Sequence, residues 1–239
     1  MARVLHNEHR YNSVRVTNLP LLLGHRGSRA LASVAENSLA AFELAVKHGC
    51  DGFEFDVRLT ADEHAVLCHD AYSRGISLAR AKLADCRHLA LIGDVLSRFY
   101  KQAFLDIEIK VPGMEEAVLT ALRECPPERG YVVSSFLPEV LIALRARSAE
   151  VPLGIICDHG LPRWREMPIN YLIPHRSLVT PGLVKSVHQE GKHLLTWTVN
   201  DKESMVHFAK WGVDGIISDK TDLLVKTLRP DYRPDPSSH

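Results

Sequence analysis

The sequence lacks a net charge, a long apolar run and a paired cysteine motif. Its 239 residues carry 29 lysines and arginines against 29 aspartates and glutamates, so no overall field attracts nucleic acid or an anionic membrane. No apolar run is long enough to span a bilayer, and nothing near the start has the pattern of a signal peptide. The five cysteines are scattered and form no Cys-x-x-Cys. These absences predict a cytoplasmic protein with reduced thiols, with no nucleic-acid partner and no stable membrane insertion. No feature specifies an oligomeric state.

What the sequence does have is an alternation of short apolar runs and amphipathic stretches between residues 20 and 228. The apolar runs predict strands at 20–24, 52–57, 103–109, 131–135, 153–157, 171–173, 193–198 and 215–217, with a further extended piece at 64–68. Helical patterns lie at 37–48, 114–124, 138–146, 181–190, 202–211 and 219–228. About eight strand–helix units without a break in composition predict an α/β fold, a (β/α)₈ TIM barrel in a single domain.

A doubly wound open sheet is the alternative fold, but no Gly-x-Gly-x-x-Gly follows the first strand, which disfavours a dinucleotide-binding version of it. The predicted organisation is an N-terminal extension at 1–19, the barrel domain at 20–228 and a disordered tail at 229–239. The tail prediction depends on its polar, proline-rich composition.

Polar side chains collect at the ends of the predicted strands, where the active sites of such barrels lie. They are His25, Arg26, Glu54, Asp56, His69, Asp70, Asp106, Glu108, Lys110, Trp197 and Asn200. Because alternate residues of a strand share a face, the apolar residues that alternate with Glu54, Asp56, Glu108 and Lys110 must face the helices, and these four must face the barrel mouth. The sequence therefore predicts one polar site at the mouth.

Three carboxylates of this set predict a metal site. Glu54, Asp56 and Glu108 should converge on one cavity, where they repel one another unless a cation lies among them. An all-oxygen set favours one divalent Mg²⁺ or Ca²⁺ ion over zinc. The alternative is a set of structural salt bridges from these carboxylates to Arg26 and Lys110, although buried ion pairs add little net stability.

The charges and the histidines together favour a phosphodiester as the substrate. Three carboxylates, a divalent cation, Arg26 and Lys110 leave the predicted site near +1, which suits a monoanion. His25 and His69 lie at predicted strand ends, and imidazoles can act near neutrality as the acid and the base that displacement of an alcohol from phosphorus requires.

An ordered set of motifs identifies a resemblance that runs from about residue 21 to residue 224. The motifs are HRG at 25–27, ENS at 36–38, GCDGFEFDVRLTAD at 49–62, HD at 69–70, IEIK at 107–110, SSF at 134–136, WTVN at 197–200 and GVDGIISD at 212–219. In this order they resemble the glycerophosphodiester phosphodiesterases.

The resemblance implies a barrel enzyme that uses Mg²⁺ or Ca²⁺ to hydrolyse glycerophosphodiesters to sn-glycerol 3-phosphate and an alcohol. By motif position it implies metal ligands Glu54, Asp56 and Glu108, a general acid/base pair His25 and His69, phosphate contacts from Arg26 and Lys110, and Trp197 on the glycerol side of the pocket. Trp197 fits equally well as a core aromatic residue at the barrel mouth. Either water or the neighbouring glycerol hydroxyl can be the first nucleophile.

The chain departs from the family pattern at two places. Ala35 stands where the family usually carries a proline, and the compact run at 71–96 predicts a reduced insertion after the second strand. Since the insertion helps to cover the active site in relatives, the choice of substrate stays open.

Three other functions fit parts of the sequence. A lysophospholipid-cleaving relative would need an apolar rim, for which Trp164 and Met167 are candidates. A non-catalytic barrel would only bind phosphoesters. A Schiff-base aldolase would use Lys110 as its nucleophile.

Overall fold

A computed structural model describes residues 19–29 and 31–233. Its strands are β1 (Leu21–His25), β2 (Gly52–Leu59), β3 (Ala65–Leu67), β4 (Tyr72–Ser73), β5 (Ile76–Ser77), β6 (Phe104–Ile109), β7 (Tyr131–Ser135), β8 (Leu153–Cys157), β9 (Tyr171–Pro174), β10 (His193–Thr196) and β11 (Gly215–Ser218). Its α-helices are α1 (Leu39–Lys47), α2 (Ile92–Phe99), α3 (Glu115–Glu124), α4 (Pro138–Arg147), α5 (Pro181–Gln189), α6 (Lys202–Trp211) and α7 (Thr221–Leu228). Short 3₁₀ helices lie at Leu83–Asp85, Trp164–Glu166 and Arg176–Leu178.

Eight parallel strands form a closed barrel. Going round the ring, their order is β1, β2, β6, β7, β8, β9, β10 and β11, and β1 pairs with both β2 and β11, which closes the sheet. The predicted single-domain (β/α)₈ barrel is confirmed, and the open doubly wound sheet is wrong. The extended piece predicted at 64–68 is β3, which pairs antiparallel with the end of β2.

Two apolar layers hold the barrel together. The inner layer fills the barrel with side chains from seven strands, and the outer layer packs the opposite faces of the strands against the helices. The inner layer consists of Leu23, Phe104, Val132, Ile156, Ile173, Leu195 and Ile217. On β2, and on β6 beyond Phe104, the inward positions are instead the acidic residues Glu54, Asp56, Asp106 and Glu108, so the interior has an acidic side near the mouth.

The connection from β2 to β6 is the reduced insertion. It contains β3, the two-stranded pair of β4 and β5, and α2. α2 lies outside the six helices predicted above. It buries Ile92, Val95, Leu96 and Phe99, the one-sided spacing of an amphipathic helix.

The connection from β8 to β9 contains a 3₁₀ helix and no α-helix. Trp164 in this helix is only 3% exposed and belongs to the outer layer of the core, while Met167 packs against the same layer. The apolar rim suggested for a lipid-cleaving relative is therefore wrong for Trp164, which faces the core.

The predicted domain boundaries stay a prediction. Residues 1–18 of the extension and 234–239 of the tail lie outside the described residues. Residues 229–233 contact the barrel: Arg229 Nη2 lies 2.6 Å from Asp51 Oδ2, and the ring of Tyr232 packs against Gly49. None of the helices in the described part of the chain has the length and hydropathy needed to cross a bilayer.

Candidate active site

A cavity of about 250 Å³ opens at the carboxyl ends of the barrel strands. Its lining residues are His25, Arg26, Glu54, His69, Asp106, Glu108, Lys110, Phe136, Ile156, Asp158, Ile173, Trp197 and Ile217. Seven of the eight predicted site residues thus line one cavity. The eighth, Asp56, contacts Arg26 and Lys110, which are members of the set.

The three predicted metal ligands lie together. In the register between β2 and β6, Asp56 lies opposite Glu108, and Glu54 lies opposite Asp106. One carboxylate oxygen from each of Glu54, Asp56 and Glu108 lies within 4.8 Å of the others, and all three residues are buried. This group offers an all-oxygen ligand set of the kind that hard divalent cations prefer.

Two cations neighbour the carboxylates. Lys110 Nζ lies 2.6 Å from Glu108 Oε1 and 3.3 Å from Asp56 Oδ1, and Arg26 Nε lies 3.2 Å from Asp56 Oδ2. The salt bridges named above as an alternative therefore exist. They do not satisfy Glu54, whose Oε1 has no hydrogen-bond partner among the described residues, whereas its Oε2 accepts a bond from the Arg26 backbone N–H.

The carboxyl groups differ in how readily they ionise. Burial, together with Asp56 and Glu108, raises the pKa of Glu54 well above its usual range. Burial and the charge of Asp56 raise the pKa of Glu108 to about 7. Burial would also raise the pKa of Asp56, but Lys110 and Arg26 outweigh it and hold that pKa below its ordinary value. The unpartnered Oε1 of Glu54 and the raised pKa values of Glu54 and Glu108 fit a site that binds an added cation.

Lys110 is charged in this setting. Burial lowers the pKa of an amine, but Glu108 and Asp56 more than offset it and raise the pKa of Lys110 above its ordinary value. An imine-forming lysine must lose its proton near neutrality. The environment of Lys110 therefore disfavours the aldolase hypothesis.

The ENS motif holds the Asp56 carboxylate in place. The buried Asn37 donates from Nδ2 to Asp56 Oδ2 at 2.8 Å and accepts at Oδ1 from the Asp56 backbone N–H at 3.1 Å. Ser38 caps α1 by accepting from the Ala41 N–H, which fixes the turn before the helix. Asn37 was quoted above only as part of a motif, and its burial as a polar residue is what gives it this role.

His25 is oriented by a residue that follows the last strand. Its Nδ1 lies 2.8 Å from Asp219 Oδ1, and Asp219 is also held by Asn200 Nδ2 at 2.6 Å and Arg29 Nη1 at 3.0 Å. Because an ionised carboxylate only accepts hydrogen bonds, Nδ1 is the protonated nitrogen and Nε2 keeps its lone pair. Asp219 is the last residue of the GVDGIISD motif, but its contact with His25 is not predicted from the sequence.

His69 has a similar arrangement nearer the solvent. Its Nδ1 lies 2.8 Å from Oδ1 of the exposed Asp70, so its Nε2 is also unencumbered by that contact. The His69 side chain is 36% exposed, against 13% for His25. The cavity is thus bordered by one sheltered and one accessible imidazole.

Trp197 lies on the wall away from the carboxylates. Its indole N–H donates to the Ile173 carbonyl at 3.0 Å, and its ring packs edge to face against Phe136 with the centroids 5.6 Å apart. Both aromatic residues line the cavity and also pack against the inner layer of the core. Trp197 therefore has features of both roles predicted from the sequence, because it is part of the cavity wall and also packs as a core aromatic residue.

Comparison with known proteins gives a consistent result. The model of the glycerophosphoryl diester phosphodiesterase family matches residues 25–86 and 104–223. A curated relative, "Glycerophosphodiester phosphodiesterase" of Caldanaerobacter subterraneus subsp. tengcongensis, is 30% identical over 239 residues, covering 87% of this chain and 98% of that protein.

Solved structures share the fold. A glycerophosphodiester phosphodiesterase from Parabacteroides distasonis superposes with a TM-score of 0.80 at 22% identity, covering 89% of this chain and 98% of its own. A phosphodiesterase from Oleispira antarctica, solved in complex with the product sn-glycerol-3-phosphate, superposes with a TM-score of 0.76 at 23% identity, covering 87% and 96%.

Proposed function

The chain belongs to the glycerophosphoryl diester phosphodiesterase family and is a phosphoric diester hydrolase, and from that premise we propose how it works. It hydrolyses glycerophosphodiesters to sn-glycerol 3-phosphate and an alcohol with the help of one divalent cation. The Oleispira relative, solved with sn-glycerol-3-phosphate, supports this choice of product.

The observation that carries the proposal is the buried carboxylate group. Glu54, Asp56 and Glu108 would hold the cation through oxygens that already lie within 4.8 Å of one another. Glu54 Oε1 has no other partner among the described residues. When bound, Mg²⁺ or Ca²⁺ supplies charge neutralisation at the phosphate oxygens.

His25 and His69 act as the general acid and base. One neutral imidazole takes the proton of the attacking hydroxyl, which belongs to water or to the neighbouring glycerol carbon, as the new P–O bond forms. The other, protonated, gives its proton to the oxygen of the leaving alcohol as the old P–O bond breaks. Asp219 and Asp70 support these transfers by holding each ring through Nδ1, so that Nε2 faces the reaction.

Arg26 and Lys110 contact the phosphate, and Trp197 contacts the glycerol. Both cations line the cavity beside the carboxylates, so they can bind phosphate oxygens there without moving to a new site. The guanidinium of Arg26 can donate two parallel N–H bonds to two phosphate oxygens at once. The flat face of an indole suits the carbon side of a glycerol unit, and we assign that contact to Trp197.

The test is hydrolysis of glycerophosphocholine and glycerophosphoglycerol by purified protein, with release of glycerol 3-phosphate as the readout. We expect turnover that stops after chelation and returns with Mg²⁺ or Ca²⁺. His25→Ala and His69→Ala should each lower kcat by about 10²- to 10⁴-fold, the usual contribution of a positioned acid or base.

The matched control for the histidine variants is His207→Ala, an exposed histidine on the outer helix α6. It should leave turnover unchanged. Activity that survives complete chelation, or that is unaltered in His25→Ala, would contradict the mechanism. Tight binding of the diester without turnover would point to the non-catalytic barrel.

We also propose the predicted boundaries and location for this enzyme. Residues 20–228 are taken as the catalytic barrel, and the substrate is a small molecule. All five cysteines are free, which accords with a reducing, cytoplasmic setting.

A further inference from the structure

One carboxylate of the cavity stands apart from the others. Asp158 follows β8 directly and continues the inward face of that strand two residues beyond Ile156, a member of the inner core layer. Its side chain lines the same cavity as His25 and Glu54. β8 lies four strands from β1 in either direction round the ring, so Asp158 lies across the mouth from His25.

Asp158 lacks a strong partner. Its side chain is 45% exposed, and its ion-pair contact is with Nε2 of His159, at 3.2 Å, a residue that is 95% exposed and so largely hydrated. No lysine or arginine among the described residues pairs with it. The rim cation at the end of β9, Arg176, is itself paired with Asp201. A negative charge without a lysine or arginine partner is thus left at the cavity, across the ring from His25 and Arg26.

Apolar and aromatic side chains line the same cavity as this charge. Ile156, Phe136 and Trp197 belong to that lining, the two rings pack edge to face, and Lys110 Nζ lies 5.6 Å from the centroid of the Phe136 ring. A carboxylate in a cavity that also carries aromatic rings is a combination of groups that can bind ammonium groups, including methylated ones. The Asp158 carboxylate would repel a leaving group that carries a negative charge.

The cavity therefore has two electrostatic ends. Arg26, Lys110 and the proposed cation attract the phosphate on the side of β1, β2 and β6, while Asp158 offers a negative charge at the end of β8, four strands from β1 and two from β6. A substrate with a phosphate monoanion and a cationic group in its alcohol matches both ends, and a neutral polyol matches only the first.

We propose that Asp158 is a specificity-determining residue that favours diesters whose leaving alcohol carries an ammonium group over diesters of neutral or anionic alcohols. This inference rests on the diesterase activity proposed above and assigns the selection of the alcohol to one residue. Asp158 is not required for bond cleavage.

The test compares kcat/KM for glycerophosphocholine, glycerophosphoethanolamine and the neutral-alcohol diester glycerophosphoglycerol in wild type and in Asp158→Asn. The substitution keeps the shape of the side chain and removes its charge. We expect kcat/KM for the two substrates with an ammonium-bearing alcohol to fall by about threefold to tenfold, mainly through KM, because a half-exposed ion pair is of modest strength. The value for glycerophosphoglycerol should stay the same, which also shows that the variant is folded.

Salt provides a second readout. Raising the ionic strength should lower the kcat/KM of wild type for ammonium-bearing diesters relative to that for glycerophosphoglycerol. The same ratio should stay unchanged in Asp158→Asn, because screening acts on the charge that the variant lacks. The matched control is Glu166→Gln in the same loop, which removes an equal charge at a side chain that is 71% exposed and outside the cavity lining. It should alter none of the three values.

Two results would overturn the inference while leaving the diesterase activity intact. An equal loss on all three substrates would mean that Asp158 contacts the shared glycerophosphate part, and no loss on any of them would mean that it does not contact substrate. Wild-type protein that is inactive on all three substrates would instead overturn the proposed function itself.

Discussion

Each histidine of the cavity is held through Nδ1 by an aspartate, but the two pairs differ in exposure. The pair of His25 and Asp219 is sheltered and has further support from Asn200 and Arg29, whereas Asp70 beside His69 is open to solvent. Burial would raise the pKa of Asp219, yet its bonds to His25 and Asn200 outweigh burial and hold that pKa far below its usual range. Asp219 is therefore an acceptor throughout the working pH range, which fixes the tautomer of His25.

Asp219→Asn should lower kcat by on the order of 10²-fold or more with little change in KM. An amide can offer its NH₂ to Nδ1 and so favour the wrong tautomer, with the proton on Nε2. Steady-state kinetics at one neutral pH measures kcat and KM.

Asp222→Asn is the control, since Asp222 lies on the same stretch of chain but pairs with Lys226 on the surface. It should leave kcat and KM as in wild type. An unchanged kcat in Asp219→Asn would mean that the contact with His25 has no part in catalysis.

At the residue level, local sequence identified the side chains that alternate along β2 and β6. The spacing of Glu54 and Asp56 and of Glu108 and Lys110 is short, so the rule of alternate faces was enough to place them. Asp219 lies 194 residues from His25, and no local pattern can reveal such a partner. Asn37, 19 residues from Asp56, was missed for the same reason.

At the level of elements, the acidic side of the mouth depends on the close approach of β2 and β6. Gly52 lies opposite Phe104 at the start of this pair, and a Cβ at Gly52 would come within 1.8 Å of the Phe104 carbonyl oxygen. The backbone of a paired strand cannot move aside to relieve this contact, as a flexible side chain could. The glycine therefore lets the two strands run side by side in the register that sets Asp56 opposite Glu108.

Gly52→Ala should lower the free energy of unfolding by about 3 kcal/mol or more, because the strands must separate to admit the methyl group. Urea denaturation followed by circular dichroism measures it. Gly93→Ala in α2 is the control, since a Cβ there meets no atom within 4 Å and alanine is the better helix former. We expect a change within about 1 kcal/mol, and equal losses in both variants would contradict this account of Gly52.

One element shows where local pattern was not sufficient. α2 has the spacing of an amphipathic helix, but it is eight residues long and contains Gly93, both of which weaken the signal in sequence. The connection after β8 carries no α-helix, in agreement with the helices predicted from the sequence, and its buried Trp164 belongs to the outer layer of the core.

At the level of the whole molecule, the number and order of strand–helix units predicted a barrel, and closure was the step that the sequence left open. Closure requires β1 to pair with β2 and β11 at once, and the second of these pairings joins the two ends of the fold. The consequence is functional, since closure brings His25 and Asp219, from the first and last strands, next to the carboxylates of β2 and β6.

The central claim is that Glu54, Asp56 and Glu108 form one site for a divalent cation in the whole folded protein. Calorimetric titration of chelator-treated protein with Mg²⁺, Ca²⁺ or Mn²⁺ tests it most directly. The titration is best run at pH 8, above the pKa of about 7 that burial and Asp56 give to Glu108, so that few protons compete. Affinity should weaken as the pH falls from 8 to 6, because protonated carboxyl groups do not bind a cation.

We expect one ion per chain in wild type and binding at least about tenfold weaker in Glu54→Gln and Glu108→Gln, as loss of a charged ligand implies. Glu115→Gln, which changes a buried carboxylate on α3 outside the group, should bind as wild type does. Wild-type affinity in Glu54→Gln and Glu108→Gln, or no binding to wild type, would contradict the account.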